Sequence, residues 1–347
     1  MDPVREVLLA LGARPAEIEA ADEHGTLLAL AAERFLLPGE RRFDTADVAA
    51  EVGVDAGALT KLWLALGFPQ PAGEKAFSDT DVDVVRTFLR DETAIDDYWL
   101  HEARVISASL GRIAEVFVDE IWDQHFSAGQ SEREALSEIA GTPIDLERME
   151  RMLLYVLRRH LVAVIYRRLA LSDQAARSGA PSIAVGFADL AGYSSLSRDM
   201  TAAELTRLVV SFEKATYDLV AERGGRVVKT LGDGLLFTAD DALSAADIAL
   251  RLADLAHDDL PPVRVGLGWG PVLIRQGDCF GPTVNLISRV VAYAGRGEVA
   301  VEPAMAAQLA ADARFSATPI GRRDLKGFGA VVLSRLHRVE QGGGAGG

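Results

Sequence analysis

The segment Val227–Phe237, VVKTLGDGLLF, decides how the rest of the chain is read. Aliphatic and β-branched residues flank Gly232-Asp233-Gly234, which predicts two short strands joined by a tight turn. The glycines allow backbone angles that a side chain forbids. Asp233 then stands at a hairpin tip, where a carboxylate stays solvated and can meet a cation. An Asp-Gly pair alone is most often only a turn, so its chemistry depends on what surrounds it.

Upstream lies IAVGFADLAGYSSLS, Ile183 to Ser197. An apolar strand runs into Asp189, followed by a Gly-containing loop and a helix pattern from about Thr201. A carboxylate there is a hard oxygen ligand for Mg²⁺, and loop amides at a helix start favour phosphate. Downstream lies GDCFGPTVNLISR, Gly277 to Arg289. Asn285 and Arg289 are four apart in a predicted helix, so they share a face and can reach one ligand group.

Together these stretches resemble the class III nucleotidyl cyclases over roughly Pro181 to Val339. Phe187-x-Asp189-x-x-Gly192-Tyr193-Ser194 resembles the first metal motif of that family, and Lys229-Thr-Leu-Gly-Asp233 the second. Asp278-x-x-Gly281-x-x-Val284-Asn285-x-x-x-Arg289 resembles the third. All three stand in the family's order. The resemblance implies an adenylate cyclase that forms 3′,5′-cyclic AMP and pyrophosphate from ATP. It implies two metal ions, Mg²⁺ or Mn²⁺, on Asp189, Asp233 and the Leu190 backbone. It also implies Asn285 on the ribose, Arg289 on the α-phosphate, Lys229 and Asp278 on the adenine edge, and Lys326, Gly192 and Tyr193 on the triphosphate. One cyclase domain per polypeptide implies a homodimer with shared sites. The sequence as a whole resembles an actinobacterial subgroup whose helical N-terminal domain inhibits catalysis and responds to acidification; a proton or a fatty acid is the expected signal.

The 347 residues suggest about two domains. With 36 Lys and Arg against 51 Asp and Glu, the net charge is −15, which argues against nucleic acid or an anionic membrane as partner. The one cysteine, Cys279, excludes internal disulfides and fits a reducing compartment. No apolar run approaches the roughly 18 residues that span a bilayer, and the N-terminus lacks a signal-peptide pattern. A cytoplasmic protein is the expectation.

The fold expected is α+β: a ferredoxin-like cyclase domain over 180–340, preceded by an all-α regulatory domain over 1–143 and a switch helix over 144–179. The tail 341–347 reads as flexible. Within the first part, Asp44 or Thr45 can cap a helix that ends at Gly53, and a second helix runs to Leu66-Gly67-Phe68-Pro69. With KAFSDTDVDVVRTFL following, this resembles a MerR-like helix-turn-helix. A DNA reader needs basic residues on its second helix. Here Lys61 stands alone among Asp44, Asp47, Glu51, Asp55, Asp79, Asp81 and Asp83, which favours protein contact or packing. Helices are predicted over about 97–124 and 144–177, separated by the polar break SAGQSERE, and His101, His125 and His160 could titrate between pH 5 and 8. In the catalytic half the predicted order is β-α-β-β-α-β, with a second hairpin turning at Gly268-Trp269-Gly270. A nucleotide-binding regulator without activity, or a helix-turn-helix transcription factor with a cyclase-like sensor, are the alternatives. The first would lack a metal Asp or the Asn/Arg pair, and the second would need a basic recognition helix.

Overall fold

The structure, a computed structural model, describes residues 2–68, 75–88, 97–125, 130–139, 145–178, 182–255 and 260–339. Pro69, Ile144, the Gly179–Pro181 junction and the 341–347 tail lie outside them. The protein divides into two compact units, with the division falling between Leu153 and Leu154.

The first unit is helical: α1 (Pro3–Ala10), α2 (Pro15–His24), α3 (Leu27–Leu36), α4 (Thr45–Val52), α5 (Ala56–Ala65), α6 (Asp79–Phe88), α7 (Asp97–His125), α8 (Glu132–Ile139) and the start of α9 (Leu146–Ser178). Asp44 caps α4, accepting from Asp47 N–H at 3.0 Å, and Gly53 ends it. The polar break expected at SAGQSERE contains the start of α8. Ser131 and Glu134 form a reciprocal capping box there, and Ala135 and Leu136 are buried. A short charged helix with two core residues carries too little apolar periodicity to be seen in composition.

The second unit holds the rest of α9 and a seven-stranded sheet. Its elements are β1 (Ser182–Leu190), α10 (Tyr193–Leu196), α11 (Ala202–Glu222), β2 (Arg226–Thr230), β3 (Gly234–Ala239), α12 (Ala242–Ala253), β4 (Val263–Pro271), β5 (Leu273–Arg275), β6 (Asp278–Phe280), α13 (Pro282–Val290), β7 (Val299–Val301), α14 (Pro303–Leu309), β8 (Phe315–Leu325) and β9 (Gly329–Arg338). The sheet order is β2-β3-β1-β4-β7-β9-β8. Its first four strands are antiparallel neighbours and, with α11 and α12, make the expected split β-α-β-β-α-β. One face packs α11, α12 and α14 around Phe212, Ile248, Leu252 and Met305. The other carries α13 and the β5–β6 ribbon around Val185, Leu236, Ile287 and Leu333.

The hairpin expected at Gly268-Trp269-Gly270 is not a turn. Those residues lie in β4, and the backbone reverses between β5 and β6 instead. Gly266, Gly268 and Gly270 all point to the α13 face. A Cβ at Gly266 would stand 2.5 Å from Val291 N, one at Gly268 2.2 Å from Ile287 Cδ1, and one at Gly270 2.6 Å from Thr283 Oγ1. Period-two glycines here let a helix lie close on the sheet. They fix the height of α13, and with it Asn285 and Arg289.

Candidate active site

Asp189 stands at the end of β1, on the α13 face. It lies opposite Gly234 of β3 and Arg264 of β4. The β2–β3 turn closes with Leu231 N–H donating to Gly234 C=O at 2.7 Å, and Gly232 adopts φ +74 within it. The Asp233 C=O accepts from Leu190 N–H at 3.0 Å, which holds the turn against the end of β1. Gly234 serves a close approach, since a Cβ there would lie 2.8 Å from Ala188 O.

The two carboxylates therefore sit side by side. Burial and the negative charge of Asp189 both push the Asp233 carboxyl above its ordinary range. Arg264 offsets part of this charge: its Nε donates to Asp189 Oδ2 at 2.9 Å, and a second guanidinium nitrogen donates to the same oxygen. Two adjacent carboxylates with one guanidinium leave excess negative charge, and hard oxygens suit Mg²⁺ or Mn²⁺. Among the described residues no group of three or more His, Cys, Asp or Glu could hold a metal. Any cation at this pair must take its remaining ligands from backbone, water or substrate phosphate. The Leu190 side chain is buried in the core, so only its backbone can take part. Arg264 is absent from the set read off the sequence. Only cross-strand register puts it opposite Asp189, and its 75-residue separation hides that relation.

Lys229 reaches its position through a bulge. Val227 pairs with Phe237, and Lys229 pairs with Leu236, so the register shifts between them. The extra residue turns Lys229 from the Phe237 face to the Leu236 face. There its Nζ donates to Asp278 Oδ2 at 2.6 Å. Burial alone would raise the Asp278 carboxyl; hydrogen bonds from Lys229 and the Cys279 N–H outweigh it and hold the carboxyl below its usual range. Arg226 braces the same ribbon, donating to Gly277 C=O at 2.9 Å and to Cys279 Sγ at 3.5 Å.

Asn285 and Arg289 lie one turn apart on α13, Asn285 exposed and Arg289 half-buried. Lys326 is exposed in the β8–β9 turn. Gly192 (φ +88) precedes the single turn α10, and Arg296 donates to the neighbouring Ala191 C=O at 3.4 Å. The Tyr193 ring packs against the core, which leaves its backbone as the part available to a phosphate. The structure brings Asp189 to Asp233 and Lys229 to Asp278. No described contact joins either carboxylate of the first pair to Asn285, Arg289 or Lys326. No described helix is long and apolar enough to cross a membrane.

The sequence pattern of the Adenylate and Guanylate cyclase catalytic domain matches residues 176–337. An adenylate cyclase of Streptomyces coelicolor is 34% identical over a 360-residue alignment that takes in 94% of both proteins. One from Glutamicibacter nicotianae is 33% identical over 348 residues, 90% of this protein and 82% of that one. A pH-sensitive adenylate cyclase of Mycobacterium tuberculosis is 34% identical over 176 residues, 49% of this protein and 44% of its own length. With near full-length similarity at this level and a catalytic pattern spanning the sheet and its helices, the protein belongs to the class III adenylate cyclases.

Proposed function

We propose that the protein converts ATP to 3′,5′-cyclic AMP and pyrophosphate at sites shared by two copies of itself. The observation that carries this reading is the Lys229–Asp278 ion pair on the same sheet face as the Asp189/Asp233 carboxylates. Adenine presents an acceptor at N1 beside a donor at its 6-amino group. An ammonium and a carboxylate held together match that order, and guanine reverses it.

Asp189, Asp233 and the Leu190 carbonyl would hold two divalent ions, Mg²⁺ or Mn²⁺, which when bound supply charge stabilisation for the 3′-oxygen and the triphosphate. Arg264, already beside Asp189, serves the triphosphate once the carboxylate turns to a cation. Gly192, the Tyr193 backbone and Lys326 bind the outer phosphates. Asn285 orients the ribose so that its 3′-oxygen lines up with the α-phosphorus. Arg289 offers a fork of N–H donors to the charge that builds on the α-phosphate as the bond to pyrophosphate breaks. Because Asn285, Arg289 and Lys326 make no described contact with the carboxylates, a second copy supplies the missing half.

The protein is divided in this reading into a regulatory part (1–143), a switch helix (144–179), the catalytic part (180–340) and a tail. The α4–α5 pair, with its acidic surroundings, serves packing or protein contact whether or not it is MerR-like. Control by protons is motivated by the relative named pH-sensitive. It is further motivated by α9, which precedes β1 in sequence and leaves Leu154, Leu157, Leu161, Ile165 and Leu169 exposed in the single copy. The test is incubation of purified full-length protein with ATP and Mn²⁺, with GTP in parallel, and analysis of the products. Cyclic AMP that disappears with Asp189→Ala is expected. No cyclic nucleotide from either substrate would overturn the reading.

A further inference from the structure

Arg289 has two described contacts, and neither is a carboxylate. One guanidinium nitrogen donates to the backbone carbonyl oxygen of Asn285 on its own helix. Its Cζ stands 5.5 Å from the centroid of the Phe328 ring. Phe328 lies in the β8–β9 turn, two residues after Lys326, and its half-buried ring packs on the cluster of Ile287, Val290, Leu325 and Leu333 beneath α13. A second tie joins the same hairpin to the 3-10 turn Val291–Tyr293 that follows this helix. The Tyr293 hydroxyl donates to Asp324 C=O at 3.4 Å.

We infer that Phe328 is the positioning residue of the reaction: its ring face aims the Arg289 guanidinium and sets the Lys326 turn against α13. The inference rests on the roles given above to Arg289 and Lys326. An aromatic face attracts a cation through its quadrupole but gives it no counter-charge. A guanidinium held this way is oriented and still uncommitted, so it can pass to a phosphate oxygen without breaking an ion pair. Arg264 shows the alternative, a guanidinium engaged by Asp189. A carboxylate in place of Phe328 would quench the charge, and an aliphatic residue would leave the side chain free to rotate. Because α13 and the turn meet at this ring, Phe328 also links the two elements that carry Asn285, Arg289 and Lys326. A misplacement of about 1 Å in such a site can cost about 10²-fold in rate.

The test uses the full-length protein with ATP and Mn²⁺. Phe328→Met keeps the volume and removes the ring, and Phe328→Tyr keeps the ring. Trifluorophenylalanine at position 328 keeps the shape and weakens the ring quadrupole, so it remains informative even where Phe328→Met fails to fold. Phe328→Met should lower kcat about tenfold, with KM for ATP within about threefold of the parent. Phe328→Tyr should retain kcat, and trifluorination should lower it about three- to fivefold. Phe328→Met should cost clearly less on an Arg289→Ala background than in the parent, the remainder being its effect on the Lys326 turn. A parent-like kcat for both Phe328→Met and the trifluorinated protein would overturn the inference while leaving the site intact. So would losses that multiply in the double variant. Full activity of Arg289→Ala would instead remove the underlying site assignment, and the inference with it.

Discussion

Arg264 Nε lies 2.9 Å from Asp189 Oδ2, on neighbouring antiparallel strands whose Cα atoms pair directly. A divalent ion held by Asp189 and Asp233, as proposed above, would compete with this guanidinium for the Asp189 carboxylate. Removing Arg264 therefore acts in two opposite directions. Arg264→Ala should bind Mn²⁺ without ATP at least as tightly as the parent, because a competing cation is gone. It should also lose about 10- to 100-fold in kcat/KM for ATP, because a phosphate-directed donor is gone. Mn²⁺ binding by electron paramagnetic resonance, alongside steady-state kinetics, reads both. Weakened Mn²⁺ binding would mean that Arg264 shapes the carboxylate pair rather than competes for it.

Gly266 meets backbone, whereas Gly268 meets the flexible end of a side chain. A Cβ at Gly266 falls 2.5 Å from Val291 N and 2.8 Å from its Cα, and only movement of the helix end can relieve that. At Gly268 the nearest atoms are Ile287 Cδ1 and Cγ1, which rotation can partly clear. Gly266→Ala should cost about 2–3 kcal/mol of stability and most of the activity, and Gly268→Ala less of each. Urea unfolding and cyclic AMP formation check both. Equal effects would mean that α13 is free to shift as a body.

The hairpin and β1 were legible because short, nearly continuous apolar runs, one pair flanking Gly232-Asp233-Gly234 and one running into Asp189, have few solutions other than buried strands. The identities of Asp189, Asp233, Asn285 and Arg289 came with the motifs that contain them. Three features were not legible. Gly268-Trp269-Gly270 has the composition of a turn, and only the presence of α13 above β4 reveals it as a close-approach surface. The motif resemblance put Lys229 and Asp278 together, as they are found, but the bulge that turns Lys229 to that face was hidden, since strict alternation would deny it. Arg264 depends on strand register, a long-range property that local spacing does not encode.

If the Lys229–Asp278 pair meets the base, as proposed above, base choice becomes a matter of hydrogen-bond direction. A wrong base leaves donor facing donor and acceptor facing acceptor, which costs more than a missing apolar contact once base binding has excluded water from the pair. Lys229→Glu combined with Asp278→Cys should lower cyclic AMP formation by about 10²-fold or more and leave Mn²⁺ binding unchanged. Parent-like ATP turnover in that variant would sink the adenine assignment.

In the helical unit, Glu17 Oε1 accepts from Arg14 Nε and from an Arg34 nitrogen, each at 3.0 Å, and Oε2 accepts from Arg14 N–H at 2.8 Å. Burial alone would raise this carboxyl; the Arg14 hydrogen bonds and the Arg34 charge bring it down to about 2. A lowered folded-state value stabilises above the unfolded value of 4.5. That stability is lost as pH falls from about 5 toward 2. Glu17→Gln should lower stability at pH 7 by about 1–2 kcal/mol and flatten this acid limb. Thermal melts from pH 3 to 7 measure it. An unchanged limb would mean that other carboxylates set the acid sensitivity of this unit.

The final prediction tests whether the proposed site is shared between two copies. Asp189 and Asp233 are held by β1, the β2–β3 turn and Arg264; Asn285 and Arg289 are held by α13 and Phe328. Each set has its own supports, and among the described residues no contact bridges the two. If one protomer supplies the carboxylates and its partner the Asn/Arg pair, Asp189→Ala and Asn285→Ala homodimers each have two broken sites. In a mixed dimer one site combines both lesions and the other has none. Equimolar mixing of the two variants, with random exchange, makes about half of the dimers mixed. Each mixed dimer then has one working site of two, so activity should return to about a quarter of the parent level, a fraction that follows from two-fold symmetry. Fluorescence energy transfer between differently labelled protomers reports the exchange independently. Demonstrated exchange with no recovered activity would mean that each protomer closes its site alone.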